Sequence, residues 1–314
     1  MIDFRYHLVS IISVFLALAV GIVLGAGPLQ ANLGSQLSDQ VAALRTEKQA
    51  LNDKMATSEK LVDASDEYAT AVQQRVVHGR LTGHRAVVVV LPSADGAIVT
   101  NLEAVVPQSD AVLTGTVTLS PDWFDPTQSA DRAQAAKEAA SALGVDSTAT
   151  GDDLLVAVLT NLTASTSDLG TSAQRSAALK VLVDADLVDS SVADLAPADL
   201  AVVVSGDYAG TEAVVTERSD AVRALVTSFA GSTRATVVAG GETVAAAGQP
   251  VTSNAVQAVR EKSDTAEIVA SVDHARSGDG PATVVLAIEG VLDDRVGHYG
   301  VAAGATATVP RVLP

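Results

Sequence analysis

The sequence predicts an α/β protein carried behind a membrane helix and a coiled-coil stalk. Three observations predict it: an unbroken apolar segment at the N-terminus, a heptad pattern after it, and short β-branched runs alternating with helical patterns. On this reading residues 1–7 form a cytoplasmic N-terminus, 8–28 a transmembrane helix, 35–78 a coiled coil and 84–314 a parallel-sheet α/β extracytoplasmic domain.

The apolar segment runs from Leu8 to Leu24, and twelve of its residues are Leu, Ile, Val or Phe. On an insertion scale they contribute on the order of −5 kcal/mol. No charge lies between Arg5 and Asp39 to oppose them. Extended to Pro28, the segment is long enough to cross a hydrocarbon core roughly 30 Å thick. A cleaved signal needs a basic leader, a shorter apolar core and a small-x-small cleavage site. This chain has Arg5 beside Asp3, a longer core, and Gly27-Pro28 where the cut would fall. The segment therefore reads as an uncleaved signal-anchor. Arg5 marks the short side as cytoplasmic, and the far flank has no positive residue until Arg45. The bulk of the chain is expected outside the cytoplasmic membrane.

Within this segment Ser13, Ala17, Gly21 and Gly25 recur every four residues, on one face of a helix. Small residues in that register let a second membrane helix approach closely. A second periodic segment follows the Gly27-Pro28 break. With Val41 at heptad position a, the a and d sites read Leu37, Val41, Leu44, Lys48, Leu51, Met55, Ser58, Val62, Ser65, Ala69, Val72 and Val76. Leu37, Val41, Leu44, Leu51, Met55, Val62, Val72 and Val76 form the apolar seam, which predicts a coiled coil. Lys54 at g and Glu59 at the following e would attract across a parallel dimer. Lys48, Ser58 and Ser65 weaken the seam. The partner is a second copy or another chain, and a single helix lying on the next domain is the alternative.

From Arg85 the pattern changes. Ala86–Leu91 is a continuous apolar run closed by Pro92, as in a strand buried on both faces. Comparable runs are Val112–Leu119, Leu200–Val204, Ala235–Ala239 and Glu267–Val272. Helical patterns lie between or after them at Ala130–Leu143, Ser172–Val183, Glu212–Phe229 and Ala282–Leu292, with Thr211 as a cap for the third. Alternation of this kind predicts a sheet with helices on both faces.

Composition and motifs bound the function. A net charge of −17 excludes a nucleic-acid reader, which needs a basic surface. The absence of cysteine excludes disulfides and thiolate metal sites. Ser205-Gly206-Asp207 and Gly240-Gly241-Glu242 follow strands, where α/β folds place sites, but neither is a phosphate loop. Turn chemistry uses the same residue types, and no nucleophile elbow or zinc-protease motif is present. The chain is expected to be no enzyme and to hold no cofactor. Its five histidines are His7, His78, His84, His274 and His298, with no pair at chelating spacing. His78 and His84 bracket the end of the stalk and are the candidate metal ligands if the fold brings them together.

Both ends of the chain resemble a known family. Arg5-Tyr6-His7-Leu8-Val9-Ser10, Val14–Ala19 and Gly21–Gly25 at the start are similar to the actinobacterial copper transport protein B family. So are Ser271-Val272-Asp273, Val284–Ala287, Gly297-His298-Tyr299-Gly300 and Val309-Pro310 at the end. The middle, from about Pro92 to Val251, carries no motif of the family. The resemblance implies a membrane-associated cell-envelope protein linked to copper efflux or homeostasis. It also implies kinship with SteB-type proteins, which act with a membrane partner, SteA, to control a septal peptidoglycan hydrolase. Two functions follow: a non-enzymatic coiled-coil scaffold or regulator of envelope assembly, or a copper transport component whose ligands would come from His78, His84, His274 or His298.

Overall fold

Two compact units make up the chain, Met1–Ala64 and Ser65–Pro314. The computed structural model describes residues 4–26, 28–145, 147–164, 170–241, 243 and 250–311, with the backbone alone for 26 and 28–36.

The first unit holds helix α1 (Phe4–Ala26) and the larger part of helix α2 (Pro28–Val77). Among the described residues, Phe4–Gly25 is the one helix long and apolar enough to cross a membrane. Its Leu, Ile, Val and Phe side chains are exposed all round. Gly27, half of the expected break, lies outside the described residues. Helix α2 opens at Pro28, where a proline is tolerated because first-turn N–H groups have no helical acceptor. It runs unbroken through the predicted heptads, and the chain turns through Gly79 (φ +79) and Gly83 (φ +82), conformations a Cβ would oppose.

The second unit contains, in chain order, β1 (Arg85–Val90), α3 (Gly96–Gln108), β2 (Val112–Leu119), α4 (Ser129–Leu143), α5 (Gly151–Thr163), α6 (Ser172–Asp184) and β3 (Val188–Ser190). There follow β4 (Leu200–Val204), β5 (Asp207–Gly210), α7 (Glu212–Ser232), β6 (Ala235–Ala239), β7 (Val251–Asn254), α8 (Ala255–Arg260), α9 (Ser263–Ala266), β8 (Ala270–Val272), α10 (Gly280–Leu292) and β9 (His298–Tyr299). The main sheet has the order β3-β2-β1-β4-β6-β8-β9, and every pairing but β2–β3 is parallel. A separate antiparallel pair, β5–β7, stands beside it.

Alternate residues of β1 serve two cores, which is why a parallel strand reads as a continuous apolar run. Val87 and Val89 pack with Ala136 of α4, Leu155 of α5, Leu179 of α6, Val222 of α7 and Val256 of α8. Ala86, Val88 and Val90 face the other way, with Ile98 and Leu102 of α3 and Val284 and Ile288 of α10. Val77 and Leu81, at and after the end of α2, are fully buried in that second core. Arg80 clamps the same corner, donating to both carboxylate oxygens of Glu289 at 2.8 and 2.7 Å.

Strands β2, β4 and β6 have the bounds the sequence predicts. The run expected over Glu267–Val272 is a strand only from Ala270, because α9 ends at Ala266 and a turn follows in which the Ile268 and Val269 N–H groups bond to the Thr265 carbonyl. Four helices were not expected: α3, α5 and the short α8 and α9. Asp95 caps α3 by accepting from the Ala97 N–H at 2.9 Å, and Pro107 falls in its last turn. Helix α5 is an apolar run whose Leu155, Val158, Leu159 and Leu162 are buried, and its helical form follows from packing on α4.

Candidate functional site

Strand order reverses between β1 and β4: the chain leaves β1 for β2 on one side and enters β4 on the other. Open α/β sheets bind ligands at such a point, outside the carboxyl ends of the strands. Here the loops after β1, β4, β6 and β8 converge on a cavity of about 510 Å3 lined by Asp66, Asp95, Ser205, Asp207, His274 and Ser277 among others.

The local chemistry of this cavity is mostly spent on the fold. Gly206 lies so close to the backbone of Pro92 and Ser93 that a Cβ there would overlap it. Ser205 Oγ accepts from the Ala255 N–H at 2.7 Å, and Asp207 Oδ1 accepts from Asn254 Nδ2 at 3.3 Å. The second expected loop is described at Gly240 and Gly241, whereas Glu242 lies outside the described residues. His274 buries both ring nitrogens without a hydrogen bond, its Nε2 3.7 Å from Asp279 and its Nδ1 3.9 Å from Asp273.

The two C-terminal motifs meet in one clamp. Strand β8 pairs with β9, placing Ser271 beside His298 and Val272 beside Tyr299. The buried Asp273 carboxylate accepts from Arg260 at 2.7 Å and from the N–H groups of Val301 and Ala302 at 2.9 and 3.0 Å. Arg260 also donates to Ser271 Oγ and to the Tyr299 carbonyl. His298 Nδ1 lies 2.9 Å from Ser271 Oγ, and burial, helped by the charge of Arg260, holds its pKa below the ordinary imidazole value. Burial raises the Tyr299 phenol in turn.

The candidate ligands His78 and His84 each have a carboxylate of their own. His78 Nδ1 is 3.3 Å from Asp110, and His84 Nδ1 is 2.7 Å from Asp199, whose other oxygen accepts from the Arg85 N–H. Among the described residues no group of three or more His, Asp or Glu side chains is placed to hold a metal ion.

The helical seam divides in two. Leu37, Val41, Leu44, Leu51, Met55 and Val62 are exposed, Leu44 at 63%. Val72 and Val76 are half-buried. On α1, Ser13 Oγ returns to the Val9 carbonyl at 2.9 Å, and a Cβ at Gly21 or Gly25 would meet nothing within 4 Å.

A second cavity, of about 490 Å3, escaped the sequence reading. Arg218 of α7 lies over the Phe124 ring at 3.6 Å, with Tyr208 at 5.7 Å. Its Nε is buried without a partner, and burial lowers the pKa of the guanidinium to about 10. Burial also raises the Tyr208 phenol. The signal was present: Arg218 falls at helical spacing between the core residues Val215 and Val222.

Fold and sequence together define a class, a doubly wound parallel α/β unit in a chain that begins with one apolar helix of membrane-spanning length. Residues 1–310 match the family described as "Copper transport outer membrane protein, MctB", and the chain belongs to that family. A curated relative in Mycobacterium leprae, named "Copper transporter MctB", is 30% identical over 99% of this chain and 100% of its own length. One of the same name in Mycobacterium tuberculosis is 28% identical over 97% of this chain and 98% of its own length.

Proposed function

We propose that this protein is a single-pass, membrane-anchored, non-enzymatic scaffold or regulator of cell-envelope assembly. Its N-terminus lies in the cytoplasm and its α/β unit outside the cytoplasmic membrane. The observation that carries this reading is the uncovered apolar row Leu37, Val41, Leu44, Leu51, Met55 and Val62. Apolar side chains at heptad spacing gain most when a second helix covers them. A second copy in parallel, or a coil of another chain, is that cover, and the Ser13, Ala17, Gly21, Gly25 face continues the association in the membrane. A membrane partner of the SteA type and a peptidoglycan hydrolase are the proposed contacts. The strand-end residues Ser205, Gly206 and Asp207 support a role without catalysis, since packing and hydrogen bonding occupy them.

The names of the family and its relatives favour a second reading, in which the chain is a component of copper transport with copper as its cargo. His78 and His84 are then the first ligands to test. The double variant Leu44→Asp, Leu51→Asp separates the two readings. Scaffold function predicts a cell with the defects of a deletion although the α/β unit stays folded; intact growth, division and copper tolerance would sink that reading. Stoichiometric copper binding by the purified protein, lost in His78→Ala or His84→Ala, would support the second.

A further inference from the structure

We propose that the cavity beside Arg218 binds a small amphiphile with a single negative charge: a monocarboxylate whose carboxylate meets the guanidinium and whose apolar body lies against Trp123, Phe124, Leu155 and Val156. The cavity is large enough for a small organic molecule and is walled chiefly by these side chains with Tyr208, Val214 and Val215. A guanidinium held in such a place has lost much of its hydration. Stacking on Phe124 restores part of that loss, but among the described residues no carboxylate pairs with Arg218 and its Nε has no acceptor. Arginines whose side chains are more deeply buried are satisfied. Arg132 forms a two-bond pair with Asp152 at 2.9 Å, and Arg260 pairs with Asp273. Arg218 thus offers an anion what its neighbours have already used.

The remaining charges set the kind of anion. Asp152 is held by Arg132, and Asp207 accepts from Asn254. Asp153 and Glu217 line the same cavity as exposed carboxylates. They oppose negative charge near the site, and a doubly charged ligand twice over, so a monocarboxylate is favoured over a phosphate monoester.

The chain contains one tryptophan, and Trp123 is in the cavity wall, so its emission reports on this site alone. The full chain in maltoside micelles would be titrated with 3-phenylpropionate, its neutral amide 3-phenylpropanamide, and phenyl phosphate, each against a protein-free blank. The expected result is a saturable change with the carboxylate, at least about tenfold tighter than with the amide, as a charge-assisted pair predicts. Phenyl phosphate binds more weakly than the carboxylate. In Arg218→Gln the acid and the amide bind alike. No saturable change with the carboxylate, or equal affinity for acid and amide in the unaltered protein, overturns the proposal. So does tighter binding of phenyl phosphate. If Arg218→Gln does not fold, the ratio of acid to amide in the unaltered protein decides the matter.

Discussion

Arg260 donates to the carboxylate of Asp273 at 2.7 Å, and both side chains are 4% exposed or less. Removing one member leaves the other charge buried and unpaired, which costs about 3–5 kcal/mol. Arg260→Met and Asp273→Asn are each expected to fall near that range in chemical denaturation of the full chain. Gly300→Ala should also destabilise, because a Cβ at φ +130 would overlap the Asp273 carboxylate. Unchanged denaturation midpoints would show that the clamp is not structural.

Stability should fall in mild acid through His298. Its folded-state pKa lies below the ordinary 6.5, so the unfolded chain takes up the proton first. Its contribution is therefore fully present above about 6.5, declines as pH falls toward the folded value and is flat below it. Thermal melts of His298→Gln should show a shallower slope across that window than the unaltered protein. An identical slope would assign the acid sensitivity elsewhere.

Helix α2 should respond differently at its two ends. Val77 is fully buried, and Val77→Asp places an unpaired charge in the core, a loss of several kcal/mol. Leu44 is 63% exposed, and Leu44→Asp should change the stability of the isolated chain by no more than about 0.5 kcal/mol. Comparable losses at both positions would mean that the exposed row is already covered within the chain.

Disulfide trapping reads the seam directly, because the chain has no cysteine of its own. Leu44→Cys or Leu51→Cys in native membranes should give a covalent dimer on mild oxidation, or a mixed adduct if the coil pairs with another chain. Thr46→Cys, on the opposite face of the helix, should not. Equal trapping at Leu44 and Thr46 would argue against a specific seam.

Much of the fold was legible because its signals are local. Val112–Leu119, Leu200–Val204 and Ala235–Ala239 are apolar runs whose length alone separates them from helices, and the structure keeps their bounds. Thr211 was readable as a cap, and its Oγ1 does accept from the Val214 N–H. Helices α3 and α5 were not legible, since Gly96, Pro107 and Gly151 interrupt the local pattern while burial on distant elements supplies the stability. The Arg218 cavity was illegible for a related reason: Phe124 is far in the chain from Tyr208 and Arg218, and no spacing rule joins them.

The sequence by itself determined the apolar N-terminal helix, the heptad row behind it, the parallel α/β class and the membership of the MctB family. Hydrophobic length and periodicity are properties of neighbours along the chain. Tertiary structure alone decided that Ser271-Val272-Asp273 and Gly297-His298-Tyr299-Gly300 are two halves of one buried clamp. It also left Leu44 open while burying Val77, and left Arg218 stacked on Phe124 with no carboxylate paired to it among the described residues. Burial and charge pairing depend on what the fold brings within a few ångströms, and the energy of a buried charge depends on that environment.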